Sequence, residues 1–341
     1  MKTLVLNYFI WNTNLSKYCM EIKVSVIVPT YKRANLLSKV IQALVAQRFP
    51  SAAYEIIVVI DGPDEGSENI LLGFNRQNLR FFTLKQNQGP ASARNIGWQN
   101  AKGELIAFTD DDCMPDPDWI AALWNDYESK GKPVVAYAGK IIVPIDERPT
   151  DYEVNTKHLE EAEFVTANCA CARLALQITG GFDEDFRMAW REDSDLQFKL
   201  IRRGVPIIHL ENAIVIHPVR KAPWGISIKE QKKSMFNVLL YKRHPELYRE
   251  KIRPLFPWQY FIIVCAFILF LAGLVTGIKP VMYAGLTVWL LFTSLFIGKR
   301  LKETSRSVSH VSEMIVTSAV IPFLSVYWRI YGIVKYGSRF N

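Results

Sequence analysis

The stretch Glu104-Leu105-Ile106-Ala107-Phe108-Thr109-Asp110-Asp111-Asp112-Cys113 decides how this chain is interpreted. Its first five residues read as a buried strand, and three consecutive carboxylates follow at the strand's end. Carboxylates crowded together repel one another, and a divalent cation removes that repulsion. Oxygen ligands suit Mg²⁺ or Mn²⁺, which proteins often hold together with substrate phosphates. The stretch predicts a metal–nucleotide site at a sheet edge; an acidic turn that caps the next helix is the alternative.

Apolar runs on the amino-terminal side of this stretch alternate with helical patterns. Three of them read as further buried strands, at residues 23–28, 55–60 and 80–84. Apolar residues between 36 and 45 recur with the 3.6-residue period of a helix. Residues 90–100 also read as a helix, and we expect Gly103 to cap its carboxyl end. Because strands that alternate with helices form parallel sheets, the pattern predicts an α/β domain.

Polar residues follow three of these strands. Thr30-Tyr31, Asp61 and the acidic run at 110–112 each stand where a strand ends. Parallel strands end at the same edge of a sheet, and open α/β sheets bind ligands there, so we expect these residues to lie together. Since Asp61 precedes Gly62-Pro63, a plain turn residue is the alternative for that position.

Six motifs, in order, resemble those of glycosyltransferase family 2. They are the segments 24–33 (VSVIVPTYKR), 59–62 (VIDG) and 87–97 (NQGPASARNIG), the acidic run, which fits the family's DxD motif, and the segments 180–184 (GGFDE) and 191–196 (REDSDL). The resemblance covers roughly residues 23–218. It implies a GT-A fold, in which a Rossmann-like nucleotide-binding half is joined to an acceptor half. It also implies transfer of a sugar from a nucleotide-sugar donor.

The resemblance assigns donor-binding roles in the first four motifs. The positions implied for the nucleotide sugar are Pro29, Thr30, Tyr31, Arg33, Asp61, Arg94, Asp110 and Asp111. Asp61 would contact uracil, and the first aspartate of the DxD motif would contact ribose. Arg94 lies near the start of the helix at 90–100, where a guanidinium makes a good contact for a diphosphate or base. A solvated surface arginine is the alternative for Arg94.

The same resemblance implies Mg²⁺ or Mn²⁺ as the cofactor. Asp112 is expected to be the principal ligand, and Asp110 would assist it. His217 is a weaker candidate for a further ligand, because a histidine at a strand end is more often structural. With Asp111 between the other two aspartates, the register of the DxD pair stays open.

Glu192 and Asp193 are the candidates for acid–base chemistry. Transfer with inversion needs a base that takes the proton of the attacking acceptor hydroxyl, and a carboxylate can do this. Asp193 matches the family's catalytic base, with Glu192 as its orienting neighbour, and Asp195 is expected to help start the following helix. Ordinary acidity in the first turn of a helix is the alternative for this pair.

The carboxyl-terminal part contains two continuous apolar stretches, at residues 258–278 and 281–298, and each is long enough to cross a bilayer. Lys279-Pro280 between them predicts a hairpin with a short turn. Basic residues flank the hairpin on both sides. The positive-inside rule therefore places the flanks and the catalytic domain in the cytoplasm, at the cell (inner) membrane.

The remaining apolar and basic segments allow more than one interpretation. Residues 314–334 contain Pro322 and Arg329, so this third segment either spans the membrane or lies in its interface. The segment 228–253 mixes lysines with apolar residues, which suits a helix on an anionic membrane surface; a solvated helix packed on the catalytic domain is the alternative. The formal net charge of +8 fits membrane apposition, and no nucleic-acid-binding motif accompanies it.

These patterns predict five regions along the chain. They are an extension at 1–22 without a clear signal-peptide cleavage site, a GT-A domain at 23–225, a basic juxtamembrane segment at 226–256, a transmembrane hairpin at 257–298 and the third apolar segment at 309–335. Five cysteines, an odd number without a zinc spacing, fit a reducing compartment.

The predicted function is that of an inverting, metal-dependent glycosyltransferase in cell-surface glycan synthesis. The expected partners are a UDP-linked sugar donor, a lipid-linked or membrane-associated glycan acceptor and the membrane itself, with no nucleic acid. One alternative is a processive polysaccharide synthase, although of the Gln-x-x-Arg-Trp motif of such enzymes only Gln231 is present. The other is a catalytically inactive scaffold of the same fold, against which the complete acidic motifs argue.

Overall fold

The computed structural model describes residues 21–252 and 257–337. Nearly all of the predicted amino-terminal extension therefore lies outside the described residues. The strands are β1 (Val24–Thr30), β2 (Tyr54–Ile60), β3 (Leu79–Thr83), β4 (Leu105–Phe108), β5 (Met114–Pro115), β6 (Ala136–Ile142), β7 (Cys169–Ala172) and β8 (Ile207–Ile216). The α-helices are α1 (Ala34–Val45), α2 (Glu65–Phe74), α3 (Pro90–Gln99), α4 (Trp119–Ser129), α5 (Asp151–Lys157), α6 (Arg173–Thr179), α7 (Glu192–Arg202), α8 (Ile226–Glu230), α9 (Met235–Arg243), α10 (Pro245–Lys251), α11 (Trp258–Thr276), α12 (Lys279–Leu301) and α13 (Val308–Tyr336).

The strands form one eight-stranded sheet in the order β3-β2-β1-β4-β7-β6-β8-β5. β3, β2, β1 and β4 are parallel. β7 extends the sheet antiparallel to β4 and to β6. The predicted strands thus form the parallel half of the sheet, and the predicted α/β class is confirmed.

The chain divides into two compact units. The first comprises the described residues up to Lys140, with Thr166–Gly181 and Gly204–Val215. It contains β1 to β5 and β7 entirely, and β6 and β8 up to Lys140 and Val215. The second comprises Ile141–Val165, Phe182–Arg203 and the described residues from Ile216 onward.

β1 and β2 form the middle of the first unit's core. Every residue of both strands is buried, as expected for parallel strands that are covered on both faces. α1 buries Leu37, Val40, Ile41 and Leu44, in agreement with its predicted period. Burial of each such side chain stabilises the fold by about 1.5–3 kcal/mol.

Two glycines allow other segments to approach β1 closely. A Cβ on Gly97 of α3 would lie 2.3 Å from Ile27 Cγ2, and a Cβ on Gly103 would lie 2.6 Å from the backbone nitrogen of Ser25. The prediction that Gly103 caps α3 is wrong, because Asn100 is the cap. Gly103 is needed instead where the chain passes against β1.

An apolar cluster forms the core of the second unit around α7, α9 and α10. Its members are Phe186, Phe198, Met235, Phe236, Leu239, Leu240, Tyr241 and Tyr248. Trp328 and Tyr336 of α13 also pack against it. Arg243, the last residue of α9, holds the loop that precedes α7. Its Nε pairs with Asp183 at 2.9 Å, and its Nη2 pairs with Asp185 at 2.7 Å.

α11 and α12 form a helical hairpin, joined through Gly277 in a left-handed conformation at φ 73°. A Cβ on Gly273 would lie 2.3 Å from Met282 N, and a Cβ on Gly285 would lie 2.4 Å from Phe270 N. The two helices therefore touch backbone to backbone, and small residues at such contacts are typical of membrane helix pairs.

α11, α12 and α13 are each long and apolar enough to cross a membrane. The most apolar stretch of α11 is 17% buried within the protein, and the same is true of α12. The corresponding stretch of α13 is 39% buried, so α13 contacts more protein than the other two helices. The predicted fold class, an α/β GT-A domain followed by carboxyl-terminal apolar helices, is confirmed.

Candidate active site

Three parallel strands of the first unit end at one edge of the sheet. Thr30 pairs with Ile60, the residue before Asp61, and Phe108 ends β4 just before the acidic run at 110–112. The structure therefore brings the predicted polar residues of β1, β2 and β4 together at the carboxyl ends of the strands.

Asp61 holds the loop that precedes α3. Its Oδ1 accepts a hydrogen bond from the Gln88 backbone N–H at 2.7 Å. Its Oδ2 accepts from the Gly89 N–H and from the Asn87 side-chain amide, both at 2.9 Å. Both oxygens are thus bonded to the loop, and the contact with a nucleobase stays a prediction.

Asp111 is bonded at both oxygens to residues at the end of β1. Its Oδ2 accepts from Thr30 Oγ1 at 2.8 Å, and its Oδ1 accepts from Arg33 Nη1 at 3.0 Å. Burial raises the pKa of Asp111 and neighbouring Asp112 adds to the rise, while Arg33 and Thr30 oppose it. Burial alone would lower the pKa of Arg33, but the carboxylates of the acidic run outweigh burial and raise it. Arg33 therefore stays charged, and Asp111 joins β1 to the acidic run.

Arg94, in the second turn of α3, pairs with Asp110, whose Oδ1 lies 2.7 Å from Nη2. The side chain of Arg94 is only 2% exposed, whereas that of Asp110 is 28% exposed. The alternative of a solvated surface arginine is therefore excluded. A buried guanidinium near a helix start supplies a fixed positive charge for an anionic ligand.

Asp112 is buried, and Cys113 Sγ lies 4.0 Å from its Oδ1. Burial, together with the charges of Asp110 and Asp112, raises the pKa of the Cys113 thiol well above its ordinary value. The acidic run itself offers carboxylate oxygens, the ligands that a hard divalent cation such as Mg²⁺ or Mn²⁺ prefers, so these residues fit such an ion.

Tyr31 adds an exposed ring to this edge. Pro29 is buried in β1, whereas Tyr31 is 42% exposed. Lys32 has a left-handed backbone at φ 54°, and its Nζ lies 5.4 Å from the centroid of the Tyr31 ring. An exposed aromatic ring offers a stacking surface for a planar ligand.

Glu192 and Asp193 open α7 in the second unit. Glu192 is buried, whereas Asp193 is partly exposed and accepts from the Ser194 N–H at 2.6 Å. The residue before them, Arg191, has a left-handed backbone at φ 76° and donates from Nε to Asn237 Oδ1 at 2.8 Å. The start of α7 is therefore fixed by a contact with α9.

Asp195 is buried more deeply than either of these acids. Its Oδ2 lies 2.7 Å from Lys199 Nζ, and its Oδ1 lies 2.9 Å from His244 Nε2. It lies in the first turn of α7 as expected, but its charge belongs to a buried cluster that ties α7 to the junction of α9 and α10. Both oxygens of Asp195 thus have structural partners.

His217 also belongs to the second unit, directly after β8. It is buried, and its backbone N–H donates to the Ile142 carbonyl at 2.8 Å. Its role as a metal ligand stays a prediction.

Sequence reasoning missed the structural importance of Asn168. This residue is fully buried; its Nδ2 donates to the carbonyls of Lys140 and Ala213, and its Oδ1 accepts from Trp119 Nε1, all at 2.8 Å. A Cβ on Gly139 would lie 2.4 Å from this amide. The partners lie 28 to 49 residues away along the chain, so no local spacing signals the contact.

Comparison with known proteins identifies the family of the domain that carries the acidic edge. Residues 25–173 match the model described as glycosyl transferase family 2. The glycosyltransferase AglE of Haloferax volcanii is 35% identical over 99 residues, which cover 28% of this chain and 33% of that protein. The hyaluronan synthase of Pasteurella multocida is 26% identical over 275 residues, which cover 67% of this chain and 28% of that protein. Both matches span a third or less of the relative's own length.

A solved structure, that of S. aureus TarS 1-349, is similar with a TM-score of 0.48 and 15% sequence identity, over 94% of this chain and 93% of that one. The family match itself includes β1 to β7 and the whole acidic edge. Residues 25–173, which carry the acidic edge, are thus a glycosyl transferase family 2 domain.

Proposed function

We propose that this protein is an inverting, metal-dependent glycosyltransferase that moves a sugar from a nucleoside-diphosphate donor, with UDP as the expected nucleotide, onto a lipid-linked or membrane-associated glycan. The observation that carries the proposal is the edge of β1, β2 and β4, where Arg33 and Arg94 lie among three aspartates. Arginines provide hydrogen bonds for phosphate oxygens, and carboxylates provide ligands for the accompanying cation.

Each residue of this edge has a defined part in the proposal. Asp112 and Asp110 would hold Mg²⁺ or Mn²⁺, which when bound offsets the charge that develops on the departing diphosphate. Arg94 is held by Asp110 and contributes fixed positive charge to the diphosphate site. Asp61 fixes the loop at 87–89, so the shape of the edge is set before the donor arrives.

Asp193 is the proposed general base, with Glu192 beside it. As the acceptor oxygen attacks the anomeric carbon, Asp193 would take its proton, and the bond from that carbon to the diphosphate oxygen breaks with inversion. Asp195 is less suited to this role because Lys199 and His244 engage both of its oxygens. The partial exposure of Asp193 supports the choice.

The three apolar helices support a membrane-associated acceptor. A lipid-linked glycan stays at the surface in which its lipid is embedded, and an enzyme anchored in the same membrane meets it there. The basic flanks of the hairpin support placement at the cell inner membrane, with the catalytic domain in the cytoplasm.

A donor screen tests this function. The full chain, purified in detergent, is incubated with UDP-, GDP- and dTDP-sugars, with Mg²⁺, with Mn²⁺ or with a chelator, and release of the nucleoside diphosphate is measured. We expect release from a UDP-sugar that stops with the chelator. Release that persists in the chelator would remove the metal from the proposal, and release from GDP- or dTDP-sugars alone would replace the nucleotide.

A second candidate is polymer synthesis, because the relatives include a hyaluronan synthase and, in Escherichia coli, a chondroitin synthase that is 24% identical over 269 residues. Gln231 Nε2 donates to the Ser227 carbonyl at 2.9 Å, which is a local helix contact and gives no support to a processive motif. Product length separates the two candidates: one added sugar per acceptor supports the proposal, and a ladder of products supports a synthase.

A further inference from the structure

The position of α13 relative to the membrane is decided by what its successive turns contact. The first half of α13 contacts the last turn of α12. Arg300 Nη1 donates to Thr317 Oγ1 at 2.6 Å and to Ser318 Oγ at 3.1 Å. Arg300 Nη2 also pairs with Asp151 Oδ2 at 2.7 Å. The buried polar face of α13 at residues 317–318 is therefore matched to the end of the hairpin that carries Arg300.

The second half of α13 packs against the apolar core of the second unit. Trp328 and Tyr336 lie against the cluster around α7, α9 and α10, and the ring of Tyr336 lies 6.5 Å, centroid to centroid, from that of Phe236 in α9. Within the hairpin, the ring of Tyr260 at the start of α11 lies 5.1 Å, centroid to centroid, from that of Phe296, one turn before Arg300 in α12. Tyr260 and Arg300 thus mark the same end of the hairpin.

These contacts exclude a course of α13 through the bilayer beside the hairpin. Thr317 and Trp328 are separated by about 17 Å along a helix, at 1.5 Å per residue. If α13 spanned the bilayer beside α11 and α12, the two residues would lie at depths that differ by nearly this distance. Instead Thr317 contacts the end of the hairpin that carries Arg300, and Trp328 packs against the core of the second unit around α7, α9 and α10, so α13 runs across that end.

The basic segment between residues 225 and 242 follows α13 along its length. The Gly225 backbone N–H donates to Glu313 Oε1 at 2.7 Å, and Lys242 Nζ donates to the Tyr336 carbonyl. Between these contacts a Cβ on Gly332 would lie 3.0 Å from the Met235 backbone oxygen. The segment carries four lysines, Lys229, Lys232, Lys233 and Lys242. Each charge at the bilayer centre would cost about 2.5–3.5 kcal/mol, so neither this segment nor the helix beside it crosses the membrane.

The face of α13 opposite the basic segment is apolar and exposed. Its members are Ile315, Val316, Val320, Tyr327, Ile330, Tyr331 and Val334. This face adjoins the hairpin, where the ring of Phe323 lies 5.2 Å from that of Phe267. Lys335 and Lys232 stand at its border, with Lys232 Nζ 5.6 Å from the Trp328 ring. An apolar face with tyrosines, tryptophan and lysines at its border is typical of a helix in the membrane interface.

We propose that α13 lies in the membrane interface, across the end of the hairpin marked by Tyr260 and Arg300, with its exposed apolar face on the headgroup–acyl boundary. The described part of the chain then crosses the bilayer twice, through α11 and α12. Because α9 packs on α13 and holds Arg191 at the start of α7, Asp193 is kept near the surface that presents a lipid-linked acceptor. Only this last consequence rests on the proposed function.

Single-cysteine labelling of the full chain in sealed, oriented vesicles tests the placement. The native cysteines are replaced, and one cysteine is introduced at a time by Ser309→Cys, Lys335→Cys, Lys302→Cys or Thr276→Cys, all of them exposed positions. With a membrane-impermeant maleimide, we expect Ser309→Cys and Lys335→Cys to react from the side of Lys302→Cys, and Thr276→Cys only from the other side. Labelling of Lys335→Cys from the side of Thr276→Cys would show that α13 spans and would overturn the proposal.

The occupant of the apolar face is tested with a nitroxide at Val320→Cys in vesicles of phosphatidylcholine and phosphatidylglycerol. We expect strong relaxation by oxygen at a shallow depth, and strong relaxation by a polar agent only at the control Lys302→Cys. Dipolar broadening at Val320→Cys would identify a second copy of the chain as the occupant, and relaxation by the polar agent equal to that of the control would identify water. Neither readout depends on turnover, so an inactive preparation tests the proposal as well as an active one.

Discussion

Carboxylates are buried at both edges of the first unit's parallel sheet, but the two edges differ in the groups that offset the negative charge of these carboxylates. At the amino edge Glu55 accepts from Ser25 Oγ at 2.6 Å and from the Lys102 N–H at 2.5 Å, and pairs with Arg80 at 2.8 Å. At the carboxyl edge three aspartates are adjacent in sequence, and the charge of Asp112 helps to raise the pKa of Asp111. The amino edge therefore stabilises the fold, whereas the carboxyl edge keeps mutual repulsion that the proposed cation would relieve.

The largest expected effect of this difference is at Asp112. Asp112→Asn should abolish metal-dependent turnover, with a loss on the order of a thousandfold or more, since a metal contributes several kcal/mol to charge stabilisation. The same change should leave the melting temperature without metal unchanged or raised, because it removes a charge that opposes ionisation of Asp111. Turnover and thermal unfolding are measured on the same preparation. Normal metal-dependent binding of UDP by this variant would contradict the ligand assignment.

The same contrast between functional and structural carboxylates is expected in α7. Asp193→Asn keeps the size of the side chain but cannot take a proton, so kcat should fall by about 10²–10⁴ while donor affinity stays near wild type. Asp195→Asn is the matched control, two residues away. It should lower the free energy of unfolding by about 3 kcal/mol, because it leaves His244 and Lys199 without their buried partner. Equal losses of kcat per folded molecule in the two variants would remove the distinction.

A smaller effect is expected at the amino edge. Glu55→Gln weakens the bonds to Arg80 and Ser25, and it should destabilise the fold by about 1–3 kcal/mol. Activity per folded molecule should stay near that of the wild type, because Glu55 lies at the opposite edge from the predicted donor site. Urea unfolding together with an assay at a temperature where both proteins are folded gives the two quantities. A strong loss of kcat without loss of stability would show that Glu55 contributes to turnover and that the role of the amino edge is not only structural.

The smallest expected effect concerns Cys171, which lies in β7 beside the parallel half of the sheet. Burial raises its pKa to about 12. The folded state therefore favours the neutral thiol, and this contribution to stability is complete below the ordinary thiol pKa of about 8.5 and is lost as the pH rises from there towards 12. At pH 8 we expect no modification of Cys171 by a maleimide in the folded protein and full modification in urea, as measured by peptide mass spectrometry. Rapid modification in the folded state would mean that the β7 region opens locally.

Residue pattern was sufficient for part of the candidate site. Apolar runs and the polar residues after them predicted three parallel strands that end at one edge, and the acidic run indicated oxygen ligands. The partners of those residues were not predictable from the pattern. Asp61 bonds to residues 26 to 28 positions away and Asp111 to Thr30, 81 positions away. Such contacts depend on how strands and loops are brought together, which local periodicity does not encode.

The sequence by itself determined the α/β class, the order of the motifs and the presence of three apolar segments, because burial, turn chemistry and helix length are local properties of a chain. Only the tertiary structure decided that Gly103 serves close approach to β1, that Asn168 joins β6, β8 and α4, and that Asp195 is a buried partner of His244. The proposed placement of α13 also depends on tertiary contacts. Its composition allows a span, and the contact of Thr317 with Arg300 and the packing of Trp328 on the core of the second unit support the proposed interfacial helix, because depth in a membrane is fixed by neighbours in space rather than by hydropathy along the chain.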